Sequence, residues 1–520
     1  AIEEIIDDFD FSAPYKSVVP LLEVKAMIIE LQDDHWKSVK IEEVDTLILN
    51  CLGMELQLNA NMPYGVLGED LQIKVLINNP SPLNVSLKQI KYEDKLHDLN
   101  QPLQANVLFS KNFKTKVSGA ISSPYWLIQK GSQGMYTTEK TELIGGAKSP
   151  AAYLAELSFS IEGKKLKIAL PLQYKETDPV RGEVVTPFHI LPQASLQLEA
   201  PVILFAPNQS QKVKVSVKNL GPSLSGTLKL ESPKLWELSP KSVQVAITGK
   251  GNQSDFYFNI KAPLEATIGY LKPILQTPTT KLQASLREIA YNHIPKQYLV
   301  SPAQSKVVAL NLKTGVEKVA YIEGAGDNIP QSLSAMGVEV EILKAKDITL
   351  KKLNPFDAVI LGIRAFNVEE SLAYKNKILW EYVSTGGNLL IQYNTSRRLK
   401  TKRLAPLSLN ISRDRVSDES ADVQIINPKH PILNHPNKIT AQDFDGWVQE
   451  RGLYFPNQWD EQFIPLLQMN DTGESPKKGA LLVANYGKGR VVYTGLSFFR
   501  QLPAGVPGAY RLFFNLIARP

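Results

Sequence analysis

Two ten-residue phrases constrain what this chain can fold into more than any other feature. IKVLINNPSP (73–82) and VKVSVKNLGP (213–222) each alternate apolar residues with others and then close on asparagine and proline. Alternation sends successive side chains to opposite faces of a strand, and the Asn and Pro that follow supply turn chemistry. Leu71, Ile73, Val75 and Ile77 carry the first stripe; in DFYFNIKAP (255–263), Phe256, Phe258 and Ile260 share another. The pattern belongs to antiparallel sheets with one buried face. Its recurrence predicts two β-sandwiches, over 54–193 and 194–310, divided near Pro192.

The flanks have other periods. Residues 1–53 are expected to be helical: Leu21, Val24, Ile28 and Leu31 recur at helical spacing, as do Ile41, Val44, Ile48 and Cys51. That stripe predicts Cys51 to be a buried core thiol. Beyond KTGVEK (313–318), short apolar runs alternate with helix-length segments: KVAYIEGAG, VEVEILKA, DAVILGIRA and GNLLIQYN. Such alternation predicts a C-terminal doubly wound α/β domain over 311–520. One helix is expected to start at a capping box of Asn367 and Glu370, to carry Leu372, Leu379 and Val383 inward, and to end at Gly386 and Gly387. A hairpin is expected with its turn at Tyr486–Gly489, then a closing helix near 508–518. The whole is a multidomain α+β chain.

Its 520 residues suit about three domains at ~150 residues each. The 58 basic and 52 acidic residues leave a net charge of +6 without a dense basic run, so no nucleic-acid partner is expected. No apolar run reaches the ~20 residues of a membrane span. The single cysteine forbids an intrachain disulfide and a cysteine-ligated zinc site. The start, Ala-Ile-Glu-Glu, reads as a processed chain or a piece of a longer one.

Four segments could carry chemistry. EGAGDNIP (323–330) follows a strand as a phosphate loop would, but Ile329 stands where a third glycine is needed and no Walker lysine follows. It reads as a tight turn with Asp327 or Asn328 capping a helix. His430 and His435 in NPKHPILNHPN are five apart in a Pro-rich segment and would need further ligands to hold a metal. GGNLLIQYNTSRR (386–398) has the form of a nucleophile elbow, but the domain has no cysteine and no G-x-S-x-G, and Thr395 or Ser396 would need a histidine partner, for which only His430 and His435 are near in sequence. DFDGWVQERGLYFPNQW (443–459) packs acids and aromatics as a sugar site would.

Ligands of a parallel sheet lie beyond the C-terminal strand ends. Those ends supply Glu323, Asp327, Arg364, Asn367, Asn394 and Arg397; the aromatic loop adds Asp443, Trp447, Glu450 and Trp459, the tryptophans as platforms for a sugar ring. The competing expectation is that Arg364 pairs with Asp443 or Glu450 and fastens the loop. No catalytic residue and no metal ligand is assigned.

Five phrases together resemble a known family: LQDDHWKSVKIEEVDTLILNCLGMEL, PKQYLVSPAQSKVV, FDAVILGIRAFN, GGNLLIQYNT and DFDGWVQERGLYF. They look like the C-terminal region of large PIG-L/LmbE-type deacetylases of Bacteroidetes-like bacteria. The second sandwich looks like the module associated with NPCBM domains. The last domain looks like a class I glutamine amidotransferase domain without its nucleophile. The family's zinc motif, A-H-P-D-D with a later H-x-x-H, does not occur here; HPNK at His435 lacks both aspartates. The resemblance therefore implies a non-catalytic accessory region, recognising or positioning carbohydrate in the cell envelope or periplasm. By the same resemblance, zinc and deacetylation are expected in an upstream domain of the same polypeptide, outside this chain, and no cofactor is expected within it. A structural spacer or protein-interaction module, and a hydrolase using the carboxylates near Asp443–Glu450, are the alternatives.

Overall fold

The computed structural model describes residues 1–132 and 134–519. Helices come first, at Ile2–Asp7, Val18–Ile29 and Asp34–Leu52. Asp33 starts the third by accepting from Trp36 N at 3.0 Å, and Gly53, at φ 64°, ends it. Lys25 and Asp45 tie the last two helices together through a half-buried ion pair. Val18, Leu21, Val24, Val44 and Ile48 face inward. Two expectations are corrected at the ends of these stripes. Leu31 lies beyond its helix and is exposed. Cys51 is half-buried, because it sits at the margin of the stripe and lines an open apolar groove.

The next layers are β-sandwiches. Strands Gly182–Pro187, Gln173–Asp178, Glu55–Ala60, Asp70–Asn78 and Phe109–Lys116 form a five-stranded sheet in that order. Lys95–Pro102, Val85–Tyr92, Leu154–Ile161 and Lys164–Pro171 form the four-stranded sheet that shares its core. Leu71, Ile73, Val75 and Ile77 are all buried there with Leu87, Ile90 and Phe159. A second pair of sheets buries Val213, Val215 and Val217 against Leu228, Phe258, Ile260 and Leu271; Phe256 is only partly covered. The chain changes partners across Pro192: His189–Leu191 pairs with Tyr64–Val66, whereas Ala194–Leu198 pairs with Ser210–Asn219.

The repeated phrases close with the same device. Asn79 Oδ1 accepts from Ser81 N at 3.1 Å while its amide donates to Leu103 O. Asn219 Oδ1 accepts from Gly221 N at 3.0 Å while its amide donates to Gly249 O. Both asparagines are buried, and each satisfies backbone groups that a turn would otherwise leave unpaired.

The remaining residues build a seven-stranded sheet and, outside it, the two-stranded pairs Leu409–Val416 with Gly452–Trp459 and Val423–Ile425 with Leu467–Met469. Its order is Glu339–Leu343, Lys318–Ile322, Ala358–Leu361, Asn388–Ile391, Gly489–Thr494, Leu481–Tyr486 and Ile464–Pro465. The first five are mutually parallel and the last two antiparallel. Both faces are covered. Val319, Tyr321, Ile360 and Leu390 pack with Phe513 and Leu516 of the helix Pro507–Ile517. Ala320, Ile322, Val359 and Leu389 pack with Leu379 and Val383 of the helix Leu372–Ser384. Two-sided burial explains why these strands are continuously apolar where the sandwich strands alternate. The hairpin turns where expected, with Tyr486 opposite Gly489. The expected capping box does not form: Ser371 precedes the helix without a side-chain cap, and Asn367 is engaged elsewhere.

Candidate ligand-binding site

At the C-terminal edge of the parallel strands, three loops meet. The first, Glu323–Asp327, runs against the second so closely that a Cβ on Gly324 would lie 2.0 Å from Ile363 O. Ala325 N donates to Ile363 O at 2.8 Å across this contact. Asp327 accepts from Tyr321 Oη at 2.6 Å, Ile329 N at 3.0 Å and Ile363 N at 3.3 Å. The N-cap position itself is Asn328, whose side chain makes no cap; Asp327, one residue earlier, instead covers the first helical N–H at Ile329 and joins the two loops. Gln392 Nε2 donates to Tyr321 Oη at 3.1 Å, while its Oε1 is buried without a partner. A cavity of about 630 Å³ opens over this loop, lined by Tyr321, Glu323, Gly324 and Asp327 among others.

Arg364 follows at φ 56°, a left-handed conformation that costs a non-glycine residue about 1–3 kcal/mol. Its N donates to Tyr393 O at 2.8 Å, fixing the second loop to the third. Its guanidinium makes no ion pair among the described residues, and its Nε is buried without a hydrogen-bond partner. The expected fastening of Arg364 to Asp443 or Glu450 is therefore corrected. Those acids have other partners: Asp443 takes Arg511, and Glu450 takes Arg415 and Arg500.

Several other candidates serve the fold. Asn367 donates to Thr395 O and Arg397 O and accepts from Thr395 N, so its whole amide is used on one loop. Asn394 accepts from Phe366 N and donates to Gln392 O, and it is fully buried. Trp447 is corrected as a sugar platform. It is 3% exposed, donates Nε1–H to Asp443 O at 3.0 Å and packs on Phe444 and Phe498, so neither ring face is open. Asp443 closes a capping box with Thr440 and lies 3.0 Å from Arg511 Nε, off the hydrogen-bond line. Trp459 is half-buried at the end of Gly452–Trp459 and packs on the core beneath the helix Leu372–Ser384. Glu323 and Arg397 remain exposed.

The structure adds Phe499 and Arg500, which sequence reasoning did not single out. Tyr393 meets Tyr454, stacked at 6.3 Å and 10°, and Phe499, tilted at 5.3 Å. Tyr454 is left-handed at φ 54°, as is Gln449 at 68°. Arg500 rests on Phe499 at 4.8 Å and donates from Nε to Glu450 at 3.0 Å. Burial raises the Tyr393 pKa; Arg364 and Arg500 pull it down, and Glu450 and Tyr454 add to the rise. One phenol therefore feels all four groups.

No proton-transfer pair accompanies this cluster among the described residues. Thr395 Oγ1 donates to Arg397 O, and His430 Nδ1 accepts from Ile432 N at 3.3 Å. Burial lowers the His430 pKa, assisted by Arg490. Among the described residues, no group of three or more His, Cys, Asp and Glu is gathered as a metal site would require. What the edge offers is aromatic surface, guanidinium donors and exposed carboxylate.

No protein-family model matches the chain, and no curated protein matches it. Among solved structures it is similar to an exo-beta-1,4-mannosidase from Opitutaceae bacterium strain TAV5, with 13% identity over 38% of this chain and 35% of that one and a TM-score of 0.24. It is similar also to E. coli alpha-2-macroglobulin, at 13% identity over 49% and 17% with a TM-score of 0.18. Red sea bream transglutaminase gives 12% identity over 53% and 34% with a TM-score of 0.22. The chain spans about a third or less of the length of each. At these TM-scores none of the three carries an argument about fold or activity.

Proposed function

We propose that this chain is a non-catalytic recognition region that binds or positions carbohydrate for an N-acetyl-sugar deacetylase of the PIG-L/LmbE type, whose zinc domain lies outside it. Its last part is a doubly wound, flavodoxin-like domain of the class I glutamine amidotransferase type without a nucleophile, and it works in the cell envelope. The observation that carries a ligand site is Arg364: a guanidinium on strained backbone, its Nε buried and unpaired, on the loop whose backbone is bonded to Tyr393, the ring that stacks on Tyr454. Strained backbone and unsatisfied buried donors concentrate where a ligand completes the bonding. The resemblance in sequence phrases supplies the sugar and the deacetylase context.

A structural spacer is the second reading. It is favoured by Asn367, Asn394 and Asp443, whose polar atoms hold loops together. A hydrolase centred on Asp443 and Glu450 has less support, because arginines engage both carboxylates.

The test is the purified chain, assayed with added zinc on N-acetylglucosamine substrates and screened against glycans. The expected outcome is glycan binding without chelator-sensitive turnover. Chelator-sensitive turnover overturns the non-catalytic assignment, and an empty glycan screen overturns recognition.

A further inference from the structure

The site at Tyr393 has a charge imbalance. Glu450 is 5% exposed at its side chain and accepts from Arg415 Nη2 at 2.9 Å and from Arg500 Nε at 3.0 Å. One carboxylate thus meets two guanidiniums. Their side chains are 57% and 36% exposed, and among the described residues no protein acceptor takes their other N–H groups. Arg364 adds a third cation with no acid of its own. The cluster carries three positive charges against one negative.

A surplus of this kind is unfavourable when a ligand strips its water, unless the ligand brings countercharge. The guanidinium fork matches a planar oxyanion, which takes two parallel N–H bonds at once. The aromatic face beside it suits a ring whose edge is polar. The acids of the neighbouring loop do not reverse this. Asp327 is committed to Tyr321 and two backbone N–H groups, and Glu323 is exposed on the wall of the cavity over the first loop, a wall to which Arg364 does not contribute.

Building on the carbohydrate reading above, we infer that the glycan recognised here is acidic: a saccharide whose carboxylate or sulfate is held by Arg364 and Arg500 while its ring lies on the aromatic surface of Tyr454 and Phe499. The assignment follows from the unpaired Arg364 Nε, the shared Glu450 and the aromatic surface at one sheet edge.

The test uses the full chain and calorimetric titration. The probes are hexuronate oligosaccharides of several linkages, each beside its carboxyl-reduced neutral counterpart, and a sulfated oligosaccharide beside its desulfated form. Within pairs the acidic member binds at least about tenfold more tightly, and the gap narrows as salt screens the charges. The carboxylate and sulfate arms distinguish the two oxyanions. Arg364→Gln closes the gap. Arg364→Lys keeps the charge without the fork and retains part of it, and each variant is checked by its melting temperature. Equal affinity of acidic and neutral members overturns the inference while the glycan reading stands. Binding of neither kind overturns both. An acidic preference that survives in a folded Arg364→Gln also overturns the inference.

Discussion

Cys51 illustrates how a single position departs from its stripe. It shares helical spacing with Val44 and Ile48, which are buried, yet it lies half-exposed beside Leu47 and Ile28 in an apolar groove. Burial pushes its thiol pKa up, so little thiolate forms at neutral pH. Alkylation of the native protein is expected to be slow at pH 7, to accelerate as pH rises past the ordinary thiol range, and to be fastest in denaturant. A native rate at pH 7 equal to the unfolded rate contradicts this. Arg364 is the complementary case. Its position at a strand end is visible in DAVILGIRA, but its left-handed backbone and its missing partner are not, because both depend on loops that return from Gly324 and Tyr393.

At the scale of elements, close contact between loops holds the candidate residues together. Gly324→Ala would place a Cβ 2.0 Å from Ile363 O and 2.9 Å from Ala365 N. The backbone at 363–365 must move, at a cost of about 1–3 kcal/mol in a denaturant melt. Arg364 moves with it, so ligand affinity falls as well; unchanged stability and affinity would show that this contact does not hold Arg364. Strands and their faces were legible in the sequence because burial has a period. Alternation at 71–77 and 213–217 marked one buried face, and continuous runs such as AVIL marked two. The site was legible only as far as the strand ends. Asn367 and Asn394 are residue types that serve loops and ligands equally well, and their hydrogen bonds span 28 and 30 residues. Trp447 read as a platform because nothing local to it reveals Phe498 closing over one side. Glu450 meets its arginines 35 and 50 residues away, and no spacing rule reaches that far.

Across the whole molecule, polar side chains tie the sandwiches and the seven-stranded sheet together. Lys250 reaches Glu69 at 3.0 Å and lies 4.5 Å over the Tyr64 ring, joining the two sandwiches. Lys306 donates to Ala504 O at 2.8 Å, joining the second sandwich to the chain beyond the seven-stranded sheet. His189 sits in the first of these joints, packed edge-on to Tyr298, with Nε2 buried and unpaired. Burial lowers its pKa from 6.5, with smaller opposing effects from Lys296. The unfolded chain therefore binds this proton more readily than the folded one. Stability is full above pH 6.5 and declines as pH falls below it, until the folded-state pKa is reached. Melting at pH 7.5 and 5.0 is expected to show this loss, and His189→Phe to reduce it. An identical pH dependence in His189→Phe assigns the loss to other groups.

Under the proposed function, Arg364 is held for a ligand and not for the fold. Calorimetric melting of Arg364→Ala, beside glycan titration of the wild type and the variant, tests it most directly. The account predicts a melting temperature within about 2 °C of wild type, since no partner is lost, and binding that is measurable in the wild type and gone in the variant. A fall of several degrees, with no glycan bound by the wild type, would contradict it.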